Sequence, residues 1–217
     1  MREPQLRRHD LVWIEPSAWA STLAAAPQWS GELLLADWAV REWPLIVRRP
    51  HCNESAGFVP VGLPLPPAAG KRRIAFVFPP AAIVRYSPPP LLADMIQSAP
   101  ASWLPCIYQL LRLDAGARAY GSLTWEHLTG LAYLTDSSDI DLIWSWRDVE
   151  ITRTLLAGLE AIDRTAPMRI DGEIVGSDGM AVNWRELRSG QTEVIGKRLD
   201  ALTTMRRDDF IAGHIYQ

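Results

Sequence analysis

Cysteine is nearly absent from this chain of 217 residues: only Cys52 and Cys106 occur. Two thiols are too few for a disulfide scaffold or a cysteine-ligated zinc site, which fits a reducing cytosol. Lysine is as scarce. Of 22 basic residues all but Lys71 and Lys197 are arginine, and the net charge is −3. That balance argues against a broadly basic surface for nucleic acid. No apolar run approaches the ~20 residues of a membrane span. Residues 1–10 lack the apolar core of a signal peptide. A soluble, cytoplasmic protein without membrane or nucleic-acid partners is expected. His51, His127 and His214 have no spacing to one another or to cysteine that suggests a metal site. There is no internal repeat, heptad run or long low-complexity segment.

What the chain has in plenty is core material, with 48% hydrophobic residues and ten tryptophans. That suits one large domain or two small ones. Leu11–Ile14 reads as a strand, residues 16–26 as a helix opened by proline, and residues 30–43 as a second helix with Leu33, Leu34, Trp38 and Val40 on one face. Residues 44–49 read as a strand ending in Arg48 and Arg49. Two strand-like runs, FVPVGL and RIAFVF, flank the Pro- and Gly-rich PLPPAAG at residues 64–70 and should pair as a hairpin. Lys71, Arg72 and Arg73 open the second run. Surface solubility explains such a cluster. Arginine also pairs with phosphate through its planar fork, so Arg48, Arg49 and Arg73 are candidates for a phosphate-bearing ligand. Pro79-Pro80 should start a short helix, and Pro88-Pro89-Pro90 marks a stiff break before a helix at residues 91–97. A module over residues 1–90 and a second domain over 91–217 are expected.

The second domain centres on Arg118 to Trp144. A short apolar run ends in Gly121-Ser122, a helical segment follows, and Asp139-Ile140-Asp141 enters a second apolar run. Strand side chains alternate, so Asp139 and Asp141 would share a face. Two adjacent carboxylates repel unless a divalent cation sits between them. A Gly-Ser turn before a helix offers bare backbone N–H groups, a natural phosphate cradle. Residues 148–163 then read as an amphipathic helix and residues 168–175 as the next strand, giving strand, crossover helix, strand. Asp171 and Glu173 share one face of that strand. Residues 182–187 are a short helix or an edge segment, Lys197 is a flexible point charge able to reach phosphate, and residues 205–217 read as peripheral.

Gly-Ser, a helix, then Asp-x-Asp on a strand resembles the signature of the nucleotidyltransferase superfamily that includes polymerase beta. The resemblance implies an α+β fold: a nucleotidyltransferase-like catalytic domain with a small mixed sheet packed on helices, preceded by a smaller α+β recognition module. It implies two Mg²⁺ ions on Asp139, Asp141 and a third carboxylate, for which Asp171 is the choice and Glu173 the alternative.

A closer resemblance is to the malonate decarboxylase holo-acyl-carrier-protein synthases, or phosphoribosyl-dephospho-CoA transferases. It rests on Gly121, Ser122, Trp125, Leu128, Thr129, Gly130, Ser138, Asp139, Asp141 and Leu142. RHDLVWI, LIVRRP (45–50) and VPVGL (59–63) also look like that family. PLPPAAG stands where a glycine-arginine segment is expected in relatives. The family implies transfer of 2′-(5″-phosphoribosyl)-3′-dephospho-CoA from its triphosphoribosyl precursor to a serine of the apo acyl carrier protein, with release of pyrophosphate. Gly121, Ser122 and Lys197 would meet the donor's phosphates. Arg48, Arg49 and Arg73 would grip its CoA arm or the carrier. Rival readings are a nucleotidyltransferase using ATP or another nucleotide on a different acceptor, and a silent nucleotide-binding module.

Overall fold

A computed structural model describes residues 6–29 and 31–213. The chain forms two compact units, Met1–Pro88 and Pro89–Gln217, each α+β with its own sheet.

The first unit holds β1 (Leu11–Ile14), α1 (Pro16–Ala24), α2 (Leu33–Ala36), β2 (Leu45–Val47), β3 (Val59–Pro64), β4 (Arg73–Phe78) and β5 (Ile83–Ser87). The strands run antiparallel in the order β4-β3-β2-β1-β5. Strict alternation along β4 buries Ile74, Phe76 and Phe78. Trp19 of α1 packs on the two phenylalanines, and its indole donates to the Leu35 carbonyl at 2.7 Å. The hairpin of β3 and β4 forms as its sequence suggests.

Residues 30–43 do not form one helix. Leu33 and Val40 are exposed, and Leu35 with Trp38 fills the core. Four uncapped residues are too few to propagate a helix. The Trp38 indole instead donates to the Pro44 carbonyl at 3.0 Å, turning the chain toward β2. β5 escaped the sequence pattern because it is an edge strand with Val84, Arg85 and Tyr86 exposed, so it shows no burial alternation.

The second unit holds α3 (Leu104–Leu113), β6 (Arg118–Tyr120), α4 (Ser122–Thr129), β7 (Ile140–Ser145), α5 (Val149–Asp163), β8 (Ile170–Val175), β9 (Ala181–Asn183), α6 (Trp184–Arg188), β10 (Glu193–Lys197), β11 (Leu202–Arg206) and α7 (Arg207–Ile211). Only a short 3-10 turn, Leu92–Met95, stands where a helix over 91–97 was expected. The sheet order is β11-β10-β9-β8-β7-β6, mixed, with β7 and β8 parallel and joined through α5. Ile140, Leu142, Trp144, Ile170 and Ile174 form one core with Leu110 of α3 and Leu156 and Leu159 of α5. The Asp148 side chain caps α5 by accepting from the Ile151 N–H. The segment from residue 205 is not peripheral: β11 extends the sheet, and Phe210 is fully buried in the same core. His214 and residues 215–217 lie outside the described residues. No helix among the described residues is long and apolar enough to cross a membrane.

Candidate metal centre

Parity along β7 decides where its carboxylates go. Ile140, Leu142 and Trp144 face the core, so Asp141 emerges on the opposite face of the sheet. The parallel register sets Asp141 beside Asp171 of β8 and Ile143 beside Glu173. Asp139 stands one residue before β7. Oxygen atoms of Asp139, Asp141 and Asp171 all lie within 4.8 Å of one another. Among the described residues this is the only such group of three or more histidine, cysteine or acidic side chains. Three partly exposed carboxylates at that spacing repel, and an all-oxygen donor set suits a hard divalent cation such as Mg²⁺.

The loop before Asp139 is pinned from α4. The Glu126 carboxylate accepts the N–H groups of Tyr133 and Leu134, each at 2.9 Å. Ser138 closes the turn, its hydroxyl accepting from the Thr135 N–H at 2.9 Å. The Ile140 N–H, donating to the Arg169 carbonyl at 3.0 Å, then ties the start of β7 to the approach of β8.

Gly121 leads into α4 with φ 87° and ψ −160°. Tyr120 pairs with Asp141 across β6 and β7, so Gly121 passes close to that carboxylate. A Cβ at Gly121 would sit 1.9 Å from Asp141 Oδ2. Glycine is needed there both for its backbone angle and for that approach. Ser122 opens α4, whose first-turn N–H groups have no intrahelical acceptors. Gly172 is needed for a similar reason: a Cβ would lie 2.3 Å from the Leu142 carbonyl oxygen, so it permits close pairing of β7 with β8.

Glu173 does not join the three. It is buried, and its Oε1 accepts from Lys197 Nζ at 3.0 Å. Lys197 is thereby held near Glu173, on the Asp171 face of β8. The Asp171 Oδ1 accepts from its neighbour's N–H, Gly172, and from Asn183 Nδ2, both at 2.8 Å. Glu126 and Asn183 escaped sequence reasoning because neither lies in a charge pattern, although Glu126 falls inside the WEHLTG segment. Cys106 is no nucleophile: burial, aided by the nearby Asp163 charge, pushes its thiol pKa up to about 11.

In the first unit Arg48 is committed to its own fold. Its Nε donates to the Val61 carbonyl, one terminal nitrogen to the Arg49 carbonyl and Glu54, the other to Glu54 and the Phe76 carbonyl. All five guanidinium donors thus have partners, and none is left over for phosphate. Arg72 pairs with Glu32 and lies over the Trp29 ring. Arg49 is half-buried and Arg73 exposed. Arg73 pairs with Pro64, whereas Val47 near Arg49 pairs with Val61, so the two arginines stand toward opposite ends of β3.

Two family models match the chain: the phosphoribosyl-dephospho-CoA transferase MdcG N-terminal domain over residues 7–89 and the MdcG C-terminal domain over residues 91–208. A phosphoribosyl-dephospho-CoA transferase of Bradyrhizobium diazoefficiens is 40% identical over 210 residues, covering 95% of this chain and 92% of the relative. Relatives with the same description from Xanthomonas campestris pv. campestris and Xanthomonas euvesicatoria pv. vesicatoria are 32% and 35% identical. The first alignment covers 92% of this chain and 94% of the relative, the second 88% and 89%. No solved structure matches.

Proposed function

This chain belongs to the phosphoribosyl-dephospho-CoA transferase family and is a transferase, and from that premise we propose its reaction, acceptor and catalytic residues. It carries 2′-(5″-phosphoribosyl)-3′-dephospho-CoA from the triphosphate precursor to a serine of the malonate decarboxylase acyl carrier protein, in the cytoplasm. The serine oxygen bonds to the donor's α-phosphorus, the bond to the outer two phosphates breaks, and pyrophosphate leaves. The observation that carries this reading is the meeting of Asp139, Asp141 and Asp171 at the end of β7 nearest the Gly121-Ser122 turn. Gly-Ser opening a helix, D-x-D entering the next strand and a third carboxylate on its parallel neighbour also support a nucleotidyltransferase-like second unit.

The three carboxylates suit Mg²⁺, two ions of which would neutralise the donor's phosphates and lower the pKa of the attacking hydroxyl. Asp139 and Asp141 supply ligand oxygens from one strand entry. Asp171 supplies the third and takes the serine proton. The N–H groups opening α4 and the Ser122 hydroxyl hold the pyrophosphate end. Lys197, oriented by Glu173, has further N–H donors for a phosphate oxygen. Arg49 and Arg73 meet the CoA arm or the carrier.

The test is incubation of the protein with the triphosphoribosyl donor and apo carrier, followed by intact-mass analysis of the carrier. The carrier should gain the prosthetic-group mass on one serine. Asp139→Asn, Asp141→Asn and Asp171→Ala should each lower the rate at least about a hundredfold, about 2.7 kcal/mol of transition-state stabilisation, without unfolding the protein. Near wild-type turnover of Asp141→Asn at saturating Mg²⁺ would refute the carboxylate assignment. Efficient transfer from ATP alone would move the donor to an ordinary nucleotide.

A further inference from the structure

Asn183 stands where β9 ends and α6 begins, and both ends of its amide are in use. Its Oδ1 accepts from the Arg185 N–H at 2.9 Å, capping α6. Its Nδ2 donates to Asp171 Oδ1 at 2.8 Å. Flipping the amide would set oxygen against the carboxylate and lose both bonds, so the orientation is determined. Its mount is rigid. The Trp184 indole donates to the Ile170 carbonyl at 3.2 Å, and Arg185 donates to the same carbonyl at 2.9 Å. Arg185 also grips Asp163 of α5 with both terminal nitrogens, at 2.8 and 2.6 Å. α6 is thus bolted to the residue immediately before Asp171.

We propose that Asn183 is a positioning residue that orients the Asp171 carboxylate for a divalent cation; this rests on the carboxylate trio being a metal centre. The two hydrogen bonds to Asp171, from Asn183 and the Gly172 N–H, both end on Oδ1, which anchors the carboxylate through one oxygen and leaves the other for a cation. A neutral amide suits this task better than lysine or arginine. It fixes the carboxylate without adding a positive charge that would compete with the cation for the same oxygens.

Serine and threonine both cap helices but are too short to reach Asp171 as well, so Asn183→Ser and Asn183→Thr separate the two jobs. Whichever melts closer to wild type in the absence of metal is titrated with Mn²⁺, without substrates, by calorimetry or by electron paramagnetic resonance of the free ion. The dissociation constant should rise about tenfold, the lower end of the range for loss of an outer partner of a metal ligand. The Mg²⁺ concentration for half-maximal transfer should rise in parallel, and excess Mg²⁺ should restore most of kcat. A Mn²⁺ affinity equal to wild type would make Asn183 a helix cap only and overturn the proposal. Wild-type protein whose Mn²⁺ binding is absent, or is unchanged by Asp141→Asn, would instead overturn the metal centre itself.

Discussion

A single missing Cβ governs how closely the Gly-Ser turn approaches the carboxylates. Alanine at Gly121 would need an unfavourable positive φ and would collide with Asp141 Oδ2. Gly121→Ala should lose about 1–3 kcal/mol of stability through backbone strain and most of the transfer activity, because β6 or Asp141 must move. A melting scan beside the carrier mass assay checks both, and wild-type turnover would show that the approach is irrelevant to catalysis. Arg48 and Glu54 offer a second test. Glu54 is held below its ordinary pKa of 4.5, chiefly by the hydrogen bonds from Arg48, while partial burial opposes the shift. A depressed folded-state pKa means stability that is present above the unfolded value and lost as pH falls through the folded one. Glu54→Gln should therefore cost about 1–3 kcal/mol at pH 7, the worth of charged hydrogen bonds. That difference from wild type should shrink steadily below about pH 4.5, the unfolded-state value. Denaturant melts across pH would expose a constant difference, which would remove the ion pair from the explanation.

At the level of elements, the β7-α5-β8 crossover does most to build the site, since parallel pairing in register is what brings Asp141 beside Asp171. The last described helix matters to the same sheet. Phe210 of α7 is fully buried, and the Trp146 indole donates to the Ile211 carbonyl at 3.3 Å. Phe210→Ala should cost about 3–5 kcal/mol, the usual range for truncating a buried aromatic. Chemical denaturation measures it directly. A cost within about 0.5 kcal/mol, as for an ordinary surface substitution, would return this segment to the periphery.

Across the whole molecule, the proposed chemistry and the proposed recognition fall on different residues, and kinetics can separate them. The Arg48 N–H donates to the Pro60 carbonyl, so Arg49 stands beside residue 59, about 17 Å along β3 from the Pro64 that pairs with Arg73, and one phosphate cannot hold both. An extended partner can. Arg49→Ala with Arg73→Ala should raise KM for donor or carrier about tenfold, about 1.4 kcal/mol, and leave kcat alone, since such contacts are equal in ground and transition states. The effect should fade as salt rises. Unchanged KM values for both substrates at low salt would leave these arginines as solvating charges. By itself the sequence determined what depends on neighbours in the chain. It showed the β3–β4 hairpin, the amphipathic α5, the glycine turn and the D-x-D entry, because periodicity and turn chemistry are local. Only the tertiary structure decided which of Asp171 and Glu173 faces the other aspartates. That choice hangs on the register of β7 against β8 and on Lys197 taking Glu173. It likewise removed Arg48 from the ligand-binding set and introduced Asn183. A hydrogen-bond partner twelve or more residues away leaves no trace in local pattern, since only folding brings the two groups together.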